Sequence, residues 1–209
     1  LTHRNLVAAC QQLRSMQQGS TGVLEDGKER VLAVLPLFHI YALTVNMNFG
    51  LAGGSELILH PKFDLNDVMK DLDKKKPTVF PGVPTMYMAI ANHPDVANYD
   101  LKSLKFCASG GAPLPVEVQD HFQRVTGCRL LEGWGMTETS PAGTTTPVTD
   151  KRVAGSAGVP VPGIEIRIFD VDDHTKIMPT GDIGEIAIKG PNVMKGYWNR
   201  DKADRKSVV

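Results

Sequence analysis

The chain has 209 residues, 42% hydrophobic and 22% charged, with 23 basic side chains balanced by 23 acidic ones. That length buries the core of one or two domains, and the composition excludes a disordered chain. Charge balance excludes the basic face of a dedicated nucleic-acid binder. The three scattered cysteines Cys10, Cys107 and Cys128 form neither a disulfide framework nor a metal cage, as expected in a reduced, cytoplasmic setting.

The opening residues Leu1, Thr2, His3, Arg4 and Asn5 lack the apolar run of a signal peptide, and no initiator methionine precedes them. An internal piece of a longer protein is therefore expected. Residues 5–16 carry Leu6, Ala9, Leu13 and Met16 on one helical face. The longest apolar run, residues 31–38, is too short for a transmembrane segment. Apolar runs bounded by Gly or Pro predict buried strands at 31–35, 56–59, 78–80, 104–108 and 129–131. Helical patterns lie between them at 41–51, 64–75, 84–91 and 116–125, with Asp64 a candidate N-cap. Alternation of this kind predicts an α/β fold, with helices on a largely parallel sheet.

After residue 147 the texture changes. Gly155, Gly158, Pro160, Pro162 and Gly163 crowd together, and residues 164–169 and 185–188 then alternate as half-buried antiparallel strands do. The expectation is an α/β unit over 1–150, truncated at its N-terminus, and a small antiparallel β subdomain over 151–209.

The most specific run is LEGWGMTET at 131–139, in which a strand ends in glycines around one aromatic and then Thr-Glu. Glycines let backbone approach a ligand, Trp134 offers a flat face to a purine, the Thr137 hydroxyl suits a phosphate oxygen, and Glu138 is a hard ligand for Mg²⁺. Taken singly, each has a structural alternative in packing or helix capping. Two more strand-end runs precede it, PLFHIYA at 36–42 and ASGGAPL at 108–114, and GEIAIKGPNVMKGYW follows at 184–198. Loops at the carboxyl edge of a parallel sheet are where α/β proteins bind ligands.

Those four ordered runs resemble the core motifs of the adenylate-forming superfamily, which includes acyl-CoA synthetases, 4-coumarate–CoA ligases and luciferase. The similarity is greatest to bacterial long-chain fatty-acid–CoA ligases and covers nearly the whole chain. The resemblance implies part of the large N-terminal domain of such an enzyme, without its C-terminal lid. It implies activation of a carboxylic acid by ATP and Mg²⁺ to an acyl-adenylate, then transfer to coenzyme A. By similarity Gly111, Ala112, Pro113, Glu132, Gly133 and Trp134 surround the adenine, with Trp134 where the family usually has tyrosine. Thr137 matches the α-phosphate ligand and Glu138 the magnesium ligand; these two are the catalytic pair. His39 and Tyr41 match positions beside the acyl substrate, although a satisfied histidine at a strand end is the alternative for His39. Thr180, Gly181 and Asp182 look like the ribose-binding motif but stand on the wrong side of the Gly-Tyr-Trp run, so a turn is expected there.

The lysine-containing phosphate loop, the ribose-binding aspartate and the lid lysine all fall outside the chain, so the 209 residues alone are expected to be inactive and the full-length protein an active ligase. Missing sheet edges predict exposed apolar faces and self-association. The expected partners are a fatty acid or other carboxylic acid, ATP and coenzyme A, with no nucleic acid and at most peripheral membrane contact. An aryl-acid ligase and a non-catalytic nucleotide-binding module of the same fold are the rival readings. No Gly-x-Ser-x-Gly elbow or Gly-x-Gly-x-x-Gly run supports a hydrolase or a dinucleotide binder.

Overall fold

The structure is a computed structural model that describes residues 1–19, 23–147, 153 and 155–204. Helix α1 spans His3–Gly19, strand β1 Arg30–Ala33, and a π-helical stretch Ala42–Asn48 runs directly into the short helix α2, Phe49–Ala52. Strand β2 (Glu56–Leu59), helix α3 (Leu65–Lys74), strand β3 (Val79–Gly82) and helix α4 (Pro84–Ala91) follow. Then come β4 (Phe106–Ser109), α5 (Val116–Thr126), β5 (Leu130–Trp134), β6 (Thr144–Thr145) and β7 (Val159–Pro160). These strands form a seven-stranded sheet in the order β2-β1-β3-β4-β5-β6-β7, parallel from β2 through β5 and antiparallel beyond. Strands β8 (Glu165–Phe169) and β9 (Glu185–Lys189) make a separate antiparallel pair, and helix α6 (Asp201–Asp204) ends the described chain.

Local chemistry explains these elements. Asp64 caps α3, its carboxylate accepting the Asp67 N–H at 3.1 Å. Pro84 occupies the first turn of α4, where its missing N–H costs nothing. Gly127 ends α5 in the left-handed conformation, and its N–H returns to the Gln123 carbonyl. Pro81 is accommodated inside β3 because β1 pairs with that strand only at Val79, before the proline is reached.

The sheet is buried on both faces. Leu32, Met69, Leu72, Phe80, Tyr87 and Phe122 pack on the side covered by α3, α4 and α5. Val31, Phe49, Val79, Phe106 and Leu131 pack on the side of α1 and α2. Burial on this scale is the main force holding the sheet together.

The expected α/β sheet and trailing antiparallel pair are both present. The large sheet reaches Pro160 through β7, and the two-stranded sheet begins at Glu165. The expected boundary near 150 lies outside the described residues. The helix expected over 41–51 is π-helical through most of its length, a form that concentrates at functional sites. The Asp182 N–H bonds to the Pro179 carbonyl, so residues 179–182 form the expected turn. Two further histidines are enclosed by the fold. His93 is buried against Tyr99, and His60 bonds Asp71 at 2.8 Å.

Candidate functional site

A cavity of about 370 Å³ opens at the carboxyl edge of the sheet. Its walls come mainly from three segments that the chain order keeps far apart: His39, Tyr41, Val45 and Phe49 after β1; Phe106, Ala108, Gly110 and Gly111 along β4 and just past it; and Gly133 to Glu138 from the end of β5 onward, with Leu13 of α1, Val79 of β3 and Thr144 of β6 completing the lining. Parallel strands bring these carboxyl ends side by side, which is why the site forms here.

The tyrosines fix one wall. Tyr41 Oη donates to the Ala108 carbonyl at 2.7 Å, joining the loop after β1 to β4. Its ring lies against Gly110, where a Cβ would come within 3.2 Å of it. Burial pushes the Tyr41 phenol well above its ordinary pKa, and nearby Cys107 adds to the effect, so the hydroxyl stays a donor. His39 is exposed, and its Nδ1 accepts the Tyr41 backbone N–H at 3.1 Å. The neutral ring therefore carries its proton on Nε2.

The opposite wall is the turn after β5. Gly135 is required there, because a Cβ would lie 1.4 Å from the Pro141 carbonyl oxygen. The turn runs through a 3₁₀ segment at Thr137–Thr139 and a cis Ser140–Pro141 peptide. Trp134 packs over Gly143, and Thr137 and Glu138 face the cavity.

Of the residues singled out from sequence, His39, Tyr41, Gly111, Gly133, Trp134, Thr137 and Glu138 line this one cavity. Ala112 and Pro113 are exposed beside it rather than in its lining. Glu132 supports the wall from behind. Its Oε1 accepts the Leu114 N–H at 3.0 Å, and its carbonyl accepts from both the N–H and the hydroxyl of Thr146. Glu132 thus ties the 110–114 loop to β5.

The run at 190–197 does more than sequence reasoning expected. Asn192 is fully buried, and its amide donates to the carbonyls of Thr139 and Ala142 at 2.8 and 2.6 Å. Ser140 Oγ donates back to the Asn192 carbonyl, and Thr44 Oγ1 donates to the Ser140 carbonyl. Asn5 Nδ2 donates to Pro191 and Val193, fastening the same loop to α1. Met194 N–H bonds the Glu138 carbonyl at 2.8 Å, and Tyr197 Oη donates to Glu138 Oε1 at 2.5 Å. That carboxylate contact, with some burial, raises the Tyr197 phenol above its usual pKa. The available signal was the placement of polar residues inside apolar patterns: Asn5 beside Leu6, and Thr44 and Asn46 within the helix after Tyr41.

Among the described residues no group of three or more His, Cys, Asp or Glu side chains converges as a metal cage. Glu138 with the adjacent Thr137 hydroxyl suits Mg²⁺, which takes one or two carboxylates and completes its shell with phosphate oxygens and water.

An open cavity at the carboxyl edge of a parallel sheet, walled by glycine loops, an aromatic and a Thr-Glu pair, is the ligand-site arrangement of an open α/β protein. Comparison with known proteins narrows this. Residues 1–198 match the AMP-binding enzyme family, and the chain belongs to it. It is 42% identical over 200 residues to the long-chain-fatty-acid–CoA ligase of Bacillus subtilis, covering 96% of this chain and 35% of that protein. It is 39% identical over 207 residues to feruloyl-CoA synthase of an Amycolatopsis species, covering 97% of this chain and 40% of that protein. The crystal structure of ATP-bound MatB from Rhodopseudomonas palustris superimposes with a TM-score of 0.89 at 32% identity, over 99% of this chain and 39% of that one. The chain thus spans little more than a third of the length of the relatives it matches.

Proposed function

We propose that the intact protein is an acid–thiol ligase that activates a carboxylic acid with ATP and passes the acyl group to coenzyme A. The observation that carries this is the single cavity shared by the His39–Tyr41 wall and the Gly111, Trp134, Thr137 and Glu138 wall. An acid and a nucleotide held against those two walls meet inside it. The acid is already ionised at neutral pH, so it needs no base from the protein. Its carboxylate oxygen bonds the α-phosphorus as the bridging bond to pyrophosphate breaks; the coenzyme A thiol then gives its proton to solvent, its sulfur bonds the acyl carbon, and the acyl carbon–oxygen bond breaks to release AMP. Catalysis is then mostly positioning and charge stabilisation.

In this reading Trp134 stacks on the adenine, Thr137 donates to the α-phosphate, and Glu138 holds the cation. Bound magnesium supplies positive charge against the phosphates. Gly111 and Gly133 let the backbone approach the nucleotide, with Ala112, Pro113 and Glu132 shaping the same edge. Val45, Phe49, Val79 and Phe106 give the cavity an apolar end suited to a long alkyl chain. The similarity to feruloyl-CoA synthase supports an aryl acid as the second reading. No helix among the described residues is long and apolar enough to cross a membrane. A cytoplasmic enzyme meeting lipid only at the surface is the accompanying reading.

The test is ATP–pyrophosphate exchange by the full-length protein, with palmitate against 4-coumarate. Palmitate-driven exchange is expected, falling about 10²–10³-fold in Glu138→Gln. Exchange driven only by 4-coumarate selects the aryl reading, and none with either overturns both. The 209-residue chain alone is expected to show no exchange.

A further inference from the structure

Glu138 is held at two points by one short segment. Met194 N–H bonds its main-chain carbonyl, and the Tyr197 hydroxyl donates to its carboxylate. Only Oε1 is engaged; Oε2 has no partner among the described residues, while the side chain lines the cavity. The segment that supplies the two donors is itself anchored by the buried Asn192 and by Asn5, so it is a rigid support. Tyr197 is 38% exposed, and its neighbour Trp198 is 89% exposed, so a packing role for the phenol oxygen is small.

We infer that Tyr197 is a positioning residue for the cation held by Glu138. It occupies one carboxylate oxygen with a neutral donor and turns the other toward the bound phosphates. This inference rests on the assignment of Glu138 as the cation ligand. A carboxylate free to rotate would spend part of its time turned away; a hydrogen bond from a neighbour removes that freedom and also fixes which oxygen binds. Two donors three residues apart, one for the carbonyl and one for the carboxylate, fix both the backbone and the rotamer of the same residue.

The test uses the full-length protein with a non-hydrolysable ATP analogue, titrating Mn²⁺ and reading the free-ion signal by electron paramagnetic resonance. Tyr197→Phe is expected to weaken Mn²⁺ binding about tenfold. The Mg²⁺ needed for half-maximal exchange should rise in parallel, while the KM for the acid and the unfolding midpoint stay unchanged. Trp198→Phe, one residue away and exposed, should bind Mn²⁺ as the wild type does. If Glu138→Gln loses Mn²⁺ binding while Tyr197→Phe retains it, or binds more tightly, the role of Tyr197 is overturned. If Glu138→Gln also binds normally, the cation assignment itself fails and takes this inference with it.

Discussion

Tyr41 and Tyr87 converge on one acceptor: each places its hydroxyl oxygen 2.7 Å from the carbonyl oxygen of Ala108. Tyr87 approaches from α4 beneath the sheet and also lies 2.8 Å from the Phe80 carbonyl, whereas Tyr41 approaches from the cavity side. The end of β4 is therefore fixed from both faces, and Gly110 and Gly111 leave it in a set direction.

Removing the cavity-side donor tests that arrangement. Tyr41→Phe deletes one hydrogen bond and leaves the Ala108 carbonyl only a share of the single Tyr87 proton, which the Phe80 carbonyl also attracts, so the expected loss is about 1 kcal/mol. The folded-state pKa of Tyr41 lies above that of the unfolded chain, because burial and nearby Cys107 disfavour the phenolate. The contribution is thus full below about pH 10 and declines as pH rises, since the unfolded chain ionises first. Urea denaturation of wild type and variant at pH 8 and pH 11 should show the gap narrowing. A gap that widens with pH contradicts the buried, donating phenol.

The Asn192 amide donates to two carbonyls; that of Thr139 also accepts the Ala142 N–H at 2.9 Å, whereas that of Ala142 has no other donor among the described residues. Asn192→Ala leaves the Ala142 carbonyl without a donor and the Thr139 carbonyl with the Ala142 N–H alone, and the expected cost is about 1–3 kcal/mol. Because the turn it holds carries Thr137 and Glu138, exchange activity should fall even at low temperature where the variant stays folded. A urea midpoint within error of wild type would show that the amide is replaceable by water.

The alternation of apolar runs with helical patterns made the parallel sheet legible, because its strands are buried on both faces and read as continuous apolar runs. The glycine-bounded runs gave most of the cavity lining for a related reason: they sit where strands end. Two things were not legible. Ala112 and Pro113 share a run with Gly111 yet stand outside the cavity lining, since Gly111 at φ 78 redirects the chain and adjacency in sequence stops predicting adjacency in space. The clasp from Asn5 and Asn192 joins opposite ends of the sequence, and no periodicity connects residues across that separation. Sequence also gave no reason for the π-helical stretch after Tyr41, where Thr44 and Asn46 are fully buried.

The proposed stacking of Trp134 on the adenine can be read from its emission. A Cβ at Gly143 would lie 2.6 Å from its ring and 2.8 Å from its carbonyl oxygen, so Gly143→Ala must displace the indole or the strand. The chain's other tryptophan, Trp198, is exposed. In a Trp198→Phe background the remaining emission from this segment is that of Trp134, and AMP should alter it. Gly143→Ala is expected to weaken that AMP response at least about tenfold, the scale of one stacking contact of 1–3 kcal/mol. An unchanged titration would mean that the adenine sits elsewhere.

At the opposite edge of the sheet, Glu29 is 5% exposed and its Oε1 accepts from Lys105 Nζ and from the Glu25 N–H, both at 2.9 Å. Burial pushes its pKa up, but contacts from Thr78, Glu25 and Lys105 outweigh that and leave it below its ordinary value. Stability from such a group is present above the unfolded pKa and is lost as pH falls through the lower folded value. Lys105→Met removes one of the stabilising partners of a buried carboxylate, at an expected cost of about 1–3 kcal/mol at pH 7. Below about pH 4 the carboxyl is protonated in the unfolded chain and increasingly in the folded one, so the penalty should shrink toward zero. Denaturation midpoints for the pair at pH 7 and pH 3.5 decide the matter. A penalty of the same size at both would mean that Lys105 acts through the packing of its methylene stem, not through the charge of Glu29.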